Sequence, residues 1–135
     1  MKISMLFILF SVFAQDRTPL HEWLWKNRLI VVENNGSEDA AATVLDFGEA
    51  EEEMKERHML LIELRGDEVI VGGKSSKLKA AEVRRYLEIE ENTFEMLLIG
   101  KDGGIKLRSN SRLPAKTLFS LVDSMPMRQA EMGKD

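Results

Sequence analysis

Three stretches decide the fold: Leu29-Ile30-Val31-Val32, Ser37-Glu38-Asp39 and Met59-Leu60-Leu61-Ile62-Glu63-Leu64. The first is short, apolar and rich in branched residues, the pattern of a strand covered on both faces. It stops at Glu33-Asn34-Asn35-Gly36, a cluster of turn-forming residues. Ser37 then offers a side-chain oxygen to the free N–H groups of a helix start, and Glu38 and Asp39 set negative charge against the positive end of its dipole. A helix is predicted from there to about Arg57, with Ala40, Val44, Phe47 and Met54 on its inner stripe and Gly48 as a weak point. Met59 to Leu64 is a second apolar strand. A strand, a helix and a strand in that order predict a parallel pair joined by a right-handed crossover.

Outward from this core, Gly66-Asp67 and Gly72-Gly73 are turn pairs around a short extended piece, Val69-Ile70-Val71. Gly72-Gly73-Lys74-Ser75 imitates the end of a phosphate-binding loop, but Glu68 stands where the pattern needs its first glycine, so the segment reads as a turn and a helix cap. Ser76 is the expected cap of a second helix, in which Ala80, Val83 and Leu87 share one side while Arg84 and Arg85 face water. Phe94-Glu95-Met96-Leu97-Leu98-Ile99 is a third strand. Lys101-Asp102-Gly103-Gly104 supplies residues that tolerate the positive φ of a tight hairpin. Ile105-Lys106-Leu107-Arg108 alternates apolar with basic, as an antiparallel edge strand does. Pro114 suits the first position of a helix, and Leu118, Leu121, Val122 and Met125 follow at helical spacing until Pro126 ends the pattern. Met127 to Asp135 is expected to be a polar tail that frays.

The order βαβ, helix, β-hairpin, helix predicts an α/β domain of three α/β/α layers around a four-stranded mixed sheet, the thioredoxin-like arrangement. Met1 to Ala14 has a cationic start at Lys2 and an apolar run from Ile3 to Phe13. That run, about 11 residues, falls within the roughly 7–15 of a signal-peptide core and is too short to span a bilayer. The expected organisation is a signal peptide at 1–14, a lead-in at 15–28, the thioredoxin-like domain at 29–126 and a polar tail at 127–135. Export to the periplasm or the extracellular space follows, with no membrane span after cleavage.

The 135 residues hold 19 Lys+Arg against 23 Asp+Glu, and no cysteine. A formal net charge of −4 speaks against a nucleic-acid partner, which needs a concentrated basic face. The lack of cysteine excludes disulfides, thiolate metal sites, iron–sulfur clusters and thiol catalysis together. An exported domain without disulfides must be held by its core alone.

Arg28-Leu29-Ile30-Val31-Val32, Arg84-Arg85-Tyr86, Leu98-Ile99-Gly100-Lys101-Asp102-Gly103-Gly104-Ile105-Lys106-Leu107-Arg108 and the closing run from Leu118 through Met125-Pro126-Met127-Arg128 to Met132 carry a more specific likeness. With these residues the chain resembles the family known as domain of unknown function 4174, or P-DUDES. That family occurs in small exported bacterial proteins and in animal secreted proteins of the sushi-repeat and coiled-coil-domain-containing groups. The resemblance implies a peroxiredoxin- or thioredoxin-like fold of undefined activity.

In thioredoxin relatives the reactive cysteine follows the first strand, at a helix N-terminus that lowers its pKa. Here Glu33 to Asp39 contains no sulfur, and Ser37 has only carboxylates and amides near it, none of them a base fit to activate an alcohol. Asn92-Thr93 stands where a proline precedes the third strand in such relatives. An anion at the helix start is disfavoured by the charges of Glu38 and Asp39. His21 and His58 show neither metal-ligand spacing nor a serine partner, no G-x-S-x-G is present, and Glu51-Glu52-Glu53 reads as a solvated helix face. No catalytic residue, metal ligand or cofactor-binding residue is therefore assigned, and no cofactor is expected.

What remains are candidates for an interaction surface facing a protein partner in the cell envelope or outside the cell. Glu33, Asn34, Asn35, Ser37 and Thr93 occupy the former active-site position. Trp23 and Trp25 suit a binding hot spot, although the lead-in is expected to bury at least one ring. Arg108 and Arg112 suit a carboxylate, or simply guard a sheet edge. The leading expectation is a non-catalytic protein-interaction module. The alternative is an enzyme using Glu33, Asn34, Asn35 and Thr93, and an adhesion or matrix role, by analogy of fold alone, comes third.

Overall fold

The strand β1 (Arg28–Glu33) is buried at every position, as its run of branched apolar residues requires. In the computed structural model, which describes residues 18–133, it is the centre of the sheet; the predicted signal peptide at 1–14 lies outside the described residues. β1 pairs in parallel with β2 (Met59–Arg65), from Arg28 opposite Met59 to Glu33 opposite Leu64. On its other side it runs antiparallel to β5 (Glu95–Ile99), the third strand expected from the sequence, with Leu29 opposite Ile99 and Glu33 opposite Glu95.

Two more strands widen the sheet. The piece around Val69-Ile70-Val71 is β3 (Glu68–Val71), antiparallel to β2, and Gly72 and Gly73, at φ 58° and 84°, fold β4 (Lys74–Ser75) back onto it. β6 (Ile105–Ser109) closes the far edge beside β5. The sheet is therefore six-stranded and mixed, in the order β4-β3-β2-β1-β5-β6, rather than four-stranded.

The helix predicted to reach Arg57 is two. Ser37 Oγ accepts the Ala40 N–H at 3.2 Å and opens α1 (Glu38–Glu49), which ends at Ala50 before α2 (Glu51–Glu56) begins. The break falls at Ala50, whose ψ of 37° leaves the helical range, and not at Gly48. Ser76 does not cap the next helix. Its hydroxyl donates to the Val69 carbonyl at 2.6 Å and accepts the Leu78 N–H at 3.3 Å, which fastens the loop, and α3 starts later, at Ala80–Leu87. Arg84, expected in water, is buried.

Pro114 sits one position ahead of α4 (Ala115–Asp123), and the first free N–H of that helix, on Ala115, is taken by Asp46 Oδ2 at 2.7 Å. The expected fraying tail is instead α5 (Pro126–Met132), with Arg128 buried. Pro126 closes one helix and opens the next, because a first-turn position has no use for the N–H that proline lacks.

The period-2 alternation of β1 divides the core. Leu29 and Val31 join Ile62, Leu64, Val83, Leu87 and Leu97 on the α3 face, where Leu20 and Trp23 of the 3-10 turn His21–Trp23 also pack. Ile30 and Val32 join Phe47, Met54, Met96, Leu98, Leu118 and Phe119 on the face covered by α1, α2 and α4. There Phe47 and Phe119 meet edge to face, 6.1 Å between centroids at 89°, and the Arg57 guanidinium lies 4.7 Å from the centre of the Phe119 ring.

Candidate functional site

The parallel strands β1 and β2 end side by side, and polar groups gather just beyond their carboxyl ends, where open α/β sheets place their sites. Glu33, the last residue of β1, is only 1% exposed. Arg84 of α3 donates to it through Nε at 2.8 Å and Nη2 at 3.2 Å, and the Asn92 backbone N–H adds a third bond at 3.2 Å. Glu63 of β2, also buried, accepts from Asn34 Nδ2 at 2.6 Å and Arg65 Nε at 2.9 Å.

The loops above this floor tie themselves together. Asn34 Oδ1 accepts the Gly36 N–H at 2.9 Å, Asn35 Oδ1 accepts the Ser37 N–H at 3.2 Å, and Asn35 Nδ2 donates to the Asn92 carbonyl at 3.5 Å. The structure thus brings Glu33, Asn34, Asn35 and Ser37 together with the loop that carries the exposed Thr93. Chemically the assembly is closed. Both carboxylates are held by guanidinium and amide donors, and the Ser37 oxygen is engaged as a cap.

The other candidates stand elsewhere. Trp23 is buried while Trp25 is 62% exposed, so the two rings do not form one patch. Trp25 holds a left-handed backbone (φ 66°), unusual for a bulky residue, and its N–H donates to the Lys101 carbonyl at 2.7 Å. Arg108 donates to the Leu87 carbonyl and, at 3.4 Å, to that of Glu88, and approaches Glu95 at 3.4 Å. It is a cation closing the C-terminus of α3, where the dipole favours one. Arg112 pairs with Asp46 at 3.5 Å.

A second charged cluster, at the opposite end of β1, escaped sequence reasoning. Arg28 is 1% exposed, and its Nη1 and Nη2 donate to the two carboxylate oxygens of Glu131 at 3.2 and 3.1 Å, while Nη1 also reaches the Arg57 carbonyl at 2.7 Å. Lys101 Nζ donates to Glu131 at 2.7 Å and lies 2.7 Å from His58 Nδ1. Alongside, Asp123 accepts from Arg57 at 3.0 and 2.9 Å and from Arg128 at 3.2 Å. Burial pushes the Glu131 carboxyl up, but the hydrogen bonds from Arg28 and Lys101 outweigh it and hold the group at about 2, against an ordinary 4.5. Asp123 is lowered in the same way by Arg57 and Arg128, against the opposing effect of burial. The one signal in the sequence is an arginine directly ahead of the apolar run Leu29 to Val32. Among the described residues, no group of three or more His, Cys, Asp or Glu is placed to hold a metal ion.

Two outcomes follow from these pairs. Arg84→Met strands the buried Glu33 carboxylate and is expected to cost about 3–5 kcal/mol in urea unfolding, whereas Glu33→Gln together with Arg84→Met recovers part of that loss. The Glu131 interaction, with its depressed carboxyl, is fully present above the ordinary 4.5 and is lost as pH falls towards about 2. The melting temperature should therefore drop through that window, and Glu131→Gln should flatten the drop; equal slopes for the two proteins would contradict the assignment.

Comparison with known proteins places these features. Coiled-coil domain-containing protein 80 of Danio rerio is 38% identical over 53 residues, which is 38% of this chain and 6% of that protein. Sushi repeat-containing protein SRPX of Rattus norvegicus is 33% identical over 81 residues, 56% of this chain and 18% of that protein. The chain thus spans less than a fifth of the length of these curated relatives. No solved structure matches it significantly. Residues 19–131, which include both charged clusters and every strand of the sheet, match as one unit, and the chain belongs to the family described as Domain of unknown function (DUF4174).

Proposed function

We propose that this chain is an exported, thioredoxin-like protein that works as a non-catalytic protein-interaction module. The observation that carries this reading is the state of Glu33. A general base must be free to take a proton and within reach of a substrate. Glu33 is instead 1% exposed and held by Arg84 and the Asn92 N–H, and the Asn34 and Asn35 amides beside it are engaged by Glu63, Gly36, Ser37 and the Asn92 carbonyl. With no cysteine in the chain, the position offers neither a nucleophile nor a base to activate one.

The thioredoxin-like part of the reading is supported by the inner strand order β2-β1-β5-β6, with β1 parallel to β2 and antiparallel to β5, and by helices on both faces. The export part is supported by the cationic Lys2, the apolar run to Phe13 and the small residue at Ala14. For the interaction part, Trp25 is an exposed aromatic whose backbone is already fixed by the Lys101 carbonyl, so little ordering is left to do on binding. The matched region is also a small share of both longer relatives, as a module would be.

Sequencing the N-terminus of the protein recovered from its native host should begin at Gln15; a protein that keeps Met1 would refute export. In a pull-down from the cell-envelope fraction, Trp25→Ala should lose at least tenfold of any retained partner while its melting temperature is unchanged. Enzyme-like turnover of a peroxide, disulfide or ester that disappears in Asn35→Ala would overturn the non-catalytic reading in favour of a polar active site.

A further inference from the structure

We propose that the cavity between the β5–β6 turn and the corner joining α4 to α5 binds an organic carboxylate with an apolar body, the headgroup being taken by Arg28 and Lys101. The cavity has a volume of about 430 Å³. Arg28, Lys101 and Lys106 supply its cations, and Met125, Pro126 and Met127 form its apolar wall. Asp102 also lines it, but that carboxylate is engaged by Lys106 at 3.0 Å and by the Gly104 N–H at 2.9 Å. The cationic groups and the apolar wall converge on one space, in a chain whose overall charge is −4.

The geometry of Arg28 selects the ligand class. Its side chain is 2% exposed and presents two N–H groups to two oxygens of one planar group, at 3.1 and 3.2 Å. A planar fork of this kind matches a carboxylate in bidentate fashion, and lysine adds a point charge beside it. In the free protein the group held there is the Glu131 carboxylate. Glu131 arrives on α5, a helix whose one buried side chain is Arg128, while Met127 and Met132 remain 43% and 39% exposed. The helix therefore keeps its place through polar contacts and not through apolar burial. An incoming carboxylate that replaces Glu131 leaves no cation unpaired, so the exchange avoids the penalty of an orphaned buried charge. Its apolar body then gains burial against Met125, Pro126 and Met127.

The same chemistry reaches the site from two sources, a free aliphatic acid or the C-terminal carboxylate of a polypeptide ending in an apolar residue. The inference stands apart from the interaction-module reading, since it involves neither Trp25 nor the loops beyond Glu33.

Titration calorimetry on the full chain, with hexanoate, hexanol, inorganic phosphate and a leucine-ended tripeptide in free and amidated forms, tests it. Hexanoate should bind Glu131→Gln at least tenfold more tightly than the wild type, because the headgroup position is then uncontested. Lys101→Met leaves the Arg28–Glu131 pair in place and should weaken hexanoate binding at least tenfold. Amide shifts on binding should fall at Gly100, Lys101 and Met127. Binding of the free tripeptide but not the amidated one points to a polypeptide C-terminus, and binding of hexanoate without either peptide points to a free acid. Hexanol or phosphate binding as tightly as hexanoate, or one affinity across all three proteins, overturns the proposal. Should Glu131→Gln fail to fold, the comparison of wild type with Lys101→Met decides alone.

Discussion

Arg28 and Glu33 put a full charge at each end of the strand that forms the middle of the sheet, and both charges are buried. Taking an ion out of water costs several kcal/mol, so β1 tolerates them only where other elements bring counter-charges to meet them. Arg84 on α3 meets Glu33, and Glu131 on α5 meets Arg28. Each pairing dictates where a helix docks and in what rotation, because the carboxylate and the guanidinium must be coplanar and close. A buried pair adds little net stability over an apolar contact of the same size, yet breaking one is severe. These pairs therefore act on the arrangement of layers more than on its overall stability.

The two ends of β1 differ in what surrounds the charge. Beyond Glu33 both asparagine side chains are engaged within the protein, Asn34 by Glu63 and Gly36 and Asn35 by Ser37 and Asn92, while Thr93 stays exposed. These bonds tie the loop after β1 to β2 and to the loop that precedes β5. Around Arg28 the counter-charge comes from one helix, through Glu131. Lys101, which bonds to Glu131, and Arg28 line an open cavity, and the helix that supplies Glu131 buries none of its apolar side chains. The cavity lined by Arg28 and Lys101 thus lies at the N-terminal end of the central strand, opposite the end to which the order of elements draws attention.

Much of the fold was legible in the residues. The unbroken branched run Leu29 to Val32 announced a strand covered on both faces, and Ser37 announced a helix start, because each depends on near neighbours alone. The differences share one cause. The helical pattern puts Arg84 in water, but Glu33, far off in the chain, draws it inward. The composition of the tail predicts fraying, but Arg128 and Glu131 find Asp123, the Glu56 carbonyl and Arg28. A hydroxyl before a helical stretch usually caps it, but the Val69 carbonyl of β3 claims that of Ser76 instead.

Of the candidate site, the sequence points to the residues beyond β1, since strand ends in such sheets are where loops converge. Their mutual satisfaction was not, because hydrogen-bond partners such as Asn35 and Asn92 lie on different loops. The sequence by itself determined the apolar strands, the helix start at Ser37, the glycine turns and the absence of any thiol, all properties of composition or of residues a few positions apart. Only the tertiary structure decided which charges are buried, which helices they fasten and where a cavity opens. Those outcomes depend on pairs such as Arg28 and Glu131, which a chain can bring within hydrogen-bonding distance only after its layers have packed.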